Sequence, residues 1–258
     1  MPRDNFLFKA LIAPHANMRY SGETAAKAFK YMAQNVDKFD RVVLLGPSHY
    51  APFKRIGTTT ADIWETPLGD INIDQDTIDA FIKFSKDSDF KEDITIKRAK
   101  PELLAKEHSL EAHLPFIMKA FKDAGRQDDL KLIPFIIGDF KPDKIEAYAK
   151  VLLPLFLDPR TVFVISTDFV HWGKKFKYQP IMDKKRPFNT VMKLDYWAMQ
   201  LLESQSYNNF TYFLDKTKAT ICGRRALQLL MRIIEMAEDR VKGEYETKFV
   251  GYDQHEPA

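Results

Sequence analysis

The sequence predicts an α/β fold, a single domain in which a mostly parallel central sheet is flanked by helices. Three observations carry this prediction. Short apolar, β-branched runs at 7–12, 42–45 and 162–165 read as strands buried on both faces, as in a parallel sheet. Segments of helical period separate them. Each run also ends in polar residues: Ala13-Pro14-His15, Gly46-Pro47-Ser48-His49, and Ser166-Thr167-Asp168 followed by His171-Trp172. In an open α/β sheet, ligands bind outside the carboxyl ends of the strands. Three strand ends that each deliver a histidine therefore mark the functional edge.

After the first strand, Ser21 is the expected N-cap of a helix. Ala25, Ala28, Phe29 and Met32 share a face of that helix at i, i+3, i+4 and i+7. The strand at 41–45 then closes a parallel βαβ unit. Residues 54–73 read as irregular strands and turns punctuated by Pro67 and Gly69. Asp74 caps a helix bearing Ile78, Phe81 and Ile82, and 85–100 reads as a polar, exposed loop. Leu110, Leu114, Ile117, Met118 and Phe121 form a helical stripe, with Pro115 suited to a first turn. A strand at 131–137, a helix with Ile145, Tyr148, Ala149, Leu152 and Leu153 on one face, and the strand at 161–165 follow. The basic, aromatic stretch 174–187 is expected to fold over the strand ends. Helices near 188–204, 206–215 and 223–239 precede a last strand at 246–252. No repeat or Gly/Ser linker divides residues 1–258, so one domain is expected.

Composition narrows the function class. A hydrophobic fraction of 45% with 20 phenylalanines supplies a sizeable aromatic core. A net charge of +3, without a basic block, gives no reason to expect a nucleic-acid partner. No apolar run approaches the ~20 residues of a membrane span, and Met1-Pro2-Arg3-Asp4-Asn5 does not read as a signal peptide. The one cysteine, Cys222, cannot form an internal disulfide, which fits a reducing cytoplasm or nucleus.

Five of the six histidines lie in or beside these features; the sixth is His255. Imidazole is a good ligand for borderline metals, and strand ends let distant residues converge. Cys222 precedes Gly223-Arg224-Arg225 and an apolar helix, so a helix N-terminus and two arginines are expected to favour its thiolate. A small buried hydrophobe is the competing reading of the same residue. Asp168 and His171 suit a carboxylate that orients a ligand and a general base, or further ligands. Equally, Asp168 can cap a turn while His171 packs on Trp172. Of Glu107, His108, Glu111 and His113, one or two are expected to face the site. His108 and Glu111 can share a helical face, with His113 pointing elsewhere.

Five co-linear motifs resemble the MEMO family, named for a mediator of receptor-tyrosine-kinase-driven cell motility. They are Ile12-Ala13-Pro14-His15-Ala16, Leu45-Gly46-Pro47-Ser48-His49, Glu107-His108-Ser109-Leu110-Glu111-Ala112-His113-Leu114-Pro115, Ser166-Thr167-Asp168-Phe169-Val170-His171-Trp172-Gly173 and Thr220-Ile221-Cys222-Gly223. The resemblance covers nearly the whole chain. It implies a fold similar to class III extradiol dioxygenases, and His15, His49 and Cys222 as ligands of an iron or copper ion. Asp168 and His171 would lie beside them. It also implies signalling and motility roles, with a phosphotyrosine peptide or a signalling protein as partner. Two imidazoles and a thiolate suit copper, iron or zinc better than magnesium or calcium. A thiolate in place of the dioxygenase carboxylate implies redox-active metal binding more than efficient ring cleavage.

Three functions follow as expectations: a metal-binding protein, a phosphopeptide adaptor using Arg224, Arg225 and the 174–187 loop, and a dioxygenase-like enzyme with Asp168 in the site and His171 or His108 as acid/base. The sequence departs from the family at Asn17, usually glycine, and at Tyr50, commonly a second histidine. It lacks the family's N-terminal segment and ends soon after Tyr252-Asp253-Gln254. Part of the peptide-binding rim and one sheet edge are expected to be lost with them.

Overall fold

The architecture is an eight-stranded mixed sheet flanked by helices, an α/β single domain with one contiguous apolar core. It comes from a computed structural model that describes residues 8–50, 54–87, 94–104, 106–181, 186–241 and 245–255. Leu7 of the first expected strand, residues 88–93 of the expected loop and 182–185 of the basic stretch lie outside these.

In chain order, β1 (Ala10–Ala13) leads to α1 (Met18–Gln34) and β2 (Arg41–Pro47). Next come β3 (Ile56–Thr58), β4 (Ile63–Thr66), β5 (Gly69–Ile73), α2 (Gln75–Asp87) and β6 (Ile96–Arg98). Two four-residue helices, α3 (Pro101–Leu104) and α4 (His108–Glu111), precede α5 (Leu114–Asp123). β7 (Lys131–Ile137), α6 (Ile145–Leu157) and β8 (Thr161–Ser166) complete the sheet. Three helices follow: α7 (Pro187–Glu203), α8 (Tyr207–Thr217) and α9 (Arg224–Val241).

The strand order is β1-β8-β2-β7-β3-β6. β1, β8, β2 and β7 run parallel, and β3 reverses direction against β7. The parallel strands are apolar on both faces because helices cover them. Val42 to Leu45 and Val162 to Ile165 are fully buried. α6 and α9 pack on each other and on β8, while α1 packs on β1 and α5. Phe163 of β8 meets Phe156 of α6 edge-on at 5.4 Å, a favourable arrangement of two ring quadrupoles.

Several local expectations are corrected. Asn17, not Ser21, caps α1: its side chain accepts from the Arg19 N–H, and Ser21, one turn inside, donates its hydroxyl to the Ala16 carbonyl. Asp74 does cap α2, accepting from the Thr77 N–H. The stretch read as an exposed loop over 85–100 contains the end of α2 and β6, with Ile94, Ile96 and Ala99 buried. Thr95, Lys97 and Arg98 lie between these apolar residues, and among the described residues β6 pairs with β3 alone. Residues 246–252 form no strand. Side chains hold this tail instead: Gln205 donates to the Tyr245 carbonyl, Glu203 accepts from the Phe249 N–H, and Tyr252 donates to Asp195.

Candidate metal centre

β1, β8 and β2 are adjacent and parallel, so their carboxyl ends lie side by side. The residues just past those ends, His15, Asp168 and His49, are thereby brought together from positions over 150 apart in sequence. Two close approaches add the remaining members. A Cβ on Gly223 would lie 2.4 Å from Thr167 Cβ and 2.6 Å from the Ser166 carbonyl oxygen, so only glycine lets the chain before α9 lie against the end of β8. The Gly223 N–H donates to Thr167 Oγ1 at 3.0 Å, which sets Cys222 beside Asp168. Similarly, a Cβ on Gly46 would lie 2.7 Å from Leu110 and 2.8 Å from Ser109 Oγ, which seats α4 on β2. The Ser109 hydroxyl then donates to the Pro47 carbonyl.

His15 is the buried pivot of the cluster. Its Nδ1 lies 2.7 Å from Ser166 Oγ. The Ser166 hydroxyl has one proton and donates it to the Ser109 carbonyl at 2.6 Å, so it accepts from His15 Nδ1–H. His15 is thereby fixed with a bare Nε2, which points at Cys222 Sγ 3.3 Å away and Asp168 Oδ2 3.7 Å away. Burial, reinforced by the neighbouring histidines against the pull of Asp168, lowers the His15 pKa to about 4, and the ring is neutral at physiological pH.

His49 is oriented in the same way by Glu107. The carboxylate accepts from His49 Nδ1 at 2.9 Å, from the His49 N–H at 2.7 Å and from the Ser109 N–H at 3.2 Å. Burial would raise the Glu107 pKa, but these hydrogen bonds outweigh it and hold it at about 2. An ionised carboxylate behind an imidazole raises its basicity as a ligand. His108 stacks on His49, with ring centroids 4.6 Å apart.

Asp168 accepts at one oxygen from the backbone N–H groups of His15 and Ala16. Cys222 Sγ accepts from the Asp168 N–H at 3.2 Å. The expected thiolate is not favoured here. Burial first, and then the Asp168 carboxylate, push the thiol up to about 12. The arginines that were expected to lower it are occupied, since Arg224 and Arg225 both pair with Asp139. His171 lies near the cluster, its ring 4.9 Å from Phe176 and its pKa lowered by burial.

Among the described residues, two groups of possible metal ligands lie within 4.8 Å of one another: His15 with His49 and His108, and His15 with Asp168 and Cys222. Both contain His15, and no group joins His49 to Cys222. Of the four polar residues at 107–113, Glu107 and His108 face the cluster. His113 is fully buried beside Phe29, with neither ring nitrogen hydrogen-bonded among the described residues, and burial lowers its pKa to about 3. The orienting roles of Glu107 and Ser166 were not read from the sequence. A carboxylate adjacent to a histidine and a serine closing a buried strand were the available signals.

A sequence profile of the Memo-like protein family matches residues 1–257. The chain belongs to the Memo family. It is 34% identical to Protein MEMO1 of Xenopus laevis over 224 residues, covering 86% of this chain and 71% of that protein. It is 32% identical to Protein MEMO1 of Homo sapiens over 227 residues, covering 88% and 72%. It is 31% identical to the memo-1 homolog of Caenorhabditis elegans over 249 residues, covering 95% and 67%. The extradiol-dioxygenase-like fold expected of the family agrees with the mostly parallel sheet and its histidine-bearing strand ends. No helix of the described residues is long and apolar enough to cross a membrane.

Proposed function

We propose that this Memo-family chain holds an iron or copper ion, with zinc as a third candidate, on His15, His49 and Cys222, with Asp168 alongside. The observation that carries this reading is the 3.3 Å separation of His15 Nε2 and Cys222 Sγ. A tetrahedral ion with ordinary metal–nitrogen and metal–sulfur bonds spaces two such donors about 3.6 Å apart. The donor chemistry fits as well: two imidazoles held at Nδ1, which leaves Nε2 to face an ion, and a thiol whose proton a metal can displace. An iron or copper ion there would supply redox chemistry, which is the basis proposed for a signalling or motility role in a cytoplasmic or nuclear setting. The chain's residues hold the imidazoles in their metal-binding tautomers and screen the sulfur from solvent. Elemental analysis of untagged protein tests the reading. A stoichiometric metal in the wild type, lost in a His49→Ala, Cys222→Ser double variant, is expected; equal content in the two proteins ends it.

A second reading, an adaptor for a phosphotyrosine-type peptide, is favoured by the long groove that opens beside the cluster. It is lined by Asp168, His171, Trp172 and Phe176, and runs along β1, the outermost strand of the sheet. Calorimetry with phosphorylated and unphosphorylated peptides tests it, and indistinguishable binding would count against it. Acid/base roles for His171 or His108 in an oxygen-using reaction belong to a third reading, with Asp168 beside the metal. Oxygen uptake by iron-loaded protein with catechols tests that one.

A further inference from the structure

We propose that residues 245–255 form a detachable strap along the groove beside the site, latched by the hydrogen bond between Tyr252 and Asp195. The inference goes beyond the metal reading and does not depend on an ion. Among the described residues, the strap makes no backbone–backbone hydrogen bond. Side chains fasten it at separate points instead. Gln205 donates to the Tyr245 carbonyl and to Thr247 Oγ1, and Glu203 accepts from the Phe249 N–H at 2.9 Å. Asp195 accepts from the Tyr252 hydroxyl at 2.9 Å, and Gln254 donates to the Phe188 carbonyl at 3.1 Å. Glu203, Asp195 and Phe188 follow one another back along α7, so the strap runs antiparallel to that helix. An extended segment without a backbone ladder opens at lower cost than the sheet beneath it.

Asp195 ties the strap to the site. Its side chain is buried, and its other oxygen accepts from the Val170 N–H at 3.0 Å, two residues past Asp168. The strap lines the groove together with β1, α1 and α7, and the groove reaches Asp168 and His171. Release of the strap therefore widens the approach to those two residues. It also uncovers Phe169, on which the Phe249 ring rests at 5.8 Å.

The latch carboxyl has no cation beside it. Tyr252 faces it from the strap and Tyr178 from the turn after β8, while Asp253 and Tyr196 act on Tyr252. None of these supplies positive charge. Burial, partly offset by the Val170 and Tyr252 hydrogen bonds, raises the Asp195 pKa from 3.8 to about 6. Opening the strap lets water reach the carboxylate and returns it toward its ordinary value. A raised carboxyl pKa favours the closed state fully below the ordinary value, and that contribution is lost as pH rises through about 6. The strap is thus held more firmly at pH 5 than at pH 7.5.

Amide deuterium exchange followed by NMR on the metal-free full chain tests this, with rates corrected for intrinsic exchange. The reporter is the Phe249 amide, and the reference is the Phe163 amide, which donates to the Lys9 carbonyl inside the sheet. Phe249 is expected to open far more readily than Phe163, and about tenfold more at pH 7.5 than at pH 5. Tyr252→Phe should raise Phe249 opening at least fivefold and leave Phe163 unchanged. Asp195→Asn, which keeps the shape and removes the charge, should make Phe249 opening the same at both pH values. Phe249 exchanging only in step with Phe163, or unchanged in Tyr252→Phe, would overturn the strap and its latch. A wild type without pH dependence would do so too, as would a dependence that survives Asp195→Asn or disappears in His255→Ala.

Discussion

Ser166 Oγ stands between His15 Nδ1 and the Ser109 carbonyl, at 2.7 and 2.6 Å, and this single hydroxyl decides which nitrogen of His15 is free. Ser166→Ala leaves a buried N–H and a buried carbonyl without their partner. The expected cost is about 1–3 kcal/mol in the metal-free protein, read as a lower urea midpoint. Copper(I) affinity should fall ~10–100-fold, the usual effect of removing a group that orients a ligand. Ser166→Thr, which keeps the hydroxyl, should recover affinity ahead of stability. Equal affinity in Ser166→Ala and wild type would show that the tautomer does not matter.

Glu107 gives the fold an acid-sensitive contact. Its pKa is held at about 2, below the usual carboxyl value near 4.5. A depressed carboxyl contributes stability that is complete above its unfolded-state pKa and lost as pH falls through the folded value. The window therefore runs from about pH 4.5 down to about 2. The contribution at neutral pH is at most about 3 kcal/mol. Glu107→Gln should be less stable than wild type at pH 7, with the gap closing toward pH 2 in urea-unfolding series of the metal-free proteins. A gap that stays constant with pH would assign the loss to packing alone.

Cys222 should lose a proton when it binds metal. With the thiol pushed up to about 12, it is protonated throughout the physiological range, and the metal must displace that proton. Affinity of an ion held by Cys222 is expected to rise about tenfold per pH unit between pH 7 and 9, where His15 is already neutral. Calorimetry in two buffers of different ionisation enthalpy should give one released proton, absent in Cys222→Ser. The metal-free thiol should also react with alkylating reagents more slowly than an exposed cysteine.

Gly223→Ala places a methyl group 2.4 Å from Thr167 Cβ and 2.6 Å from a backbone oxygen, neither of which can rotate away. The start of α9 must shift, carrying Cys222 with it. We expect a loss of more than ~2 kcal/mol in the urea midpoint together with faster thiol alkylation. Destabilisation without faster alkylation would mean that the sulfur's position is set from elsewhere.

Much of the fold was legible because the parallel strands are buried on both faces. The 42–45 and 162–165 runs have no polar alternative to offer, and the stripe from Leu110 to Phe121 is buried, although it is split between α4, which carries Leu110, and α5. The misreadings fall where tertiary contacts override local composition. β6 lies in a charged stretch, and the tail at 246–252 looks like a strand but is fastened by side chains. The histidines at the strand ends could be found because topology alone brings them together. What surrounds Cys222 could not. Local sequence placed two arginines and a helix start beside it, but Asp139, more than 80 residues away, takes both guanidinium groups.

The cluster draws on β1 near one end of the chain, on β2 and α4, on β8, and on the start of α9. An ion seated there would act as a rivet through segments that otherwise meet through packing and hydrogen bonds. Its departure should loosen them together, so amide deuterium uptake at the ends of β1 and β8 and at the first turn of α9 should rise in concert when a chelator strips the protein.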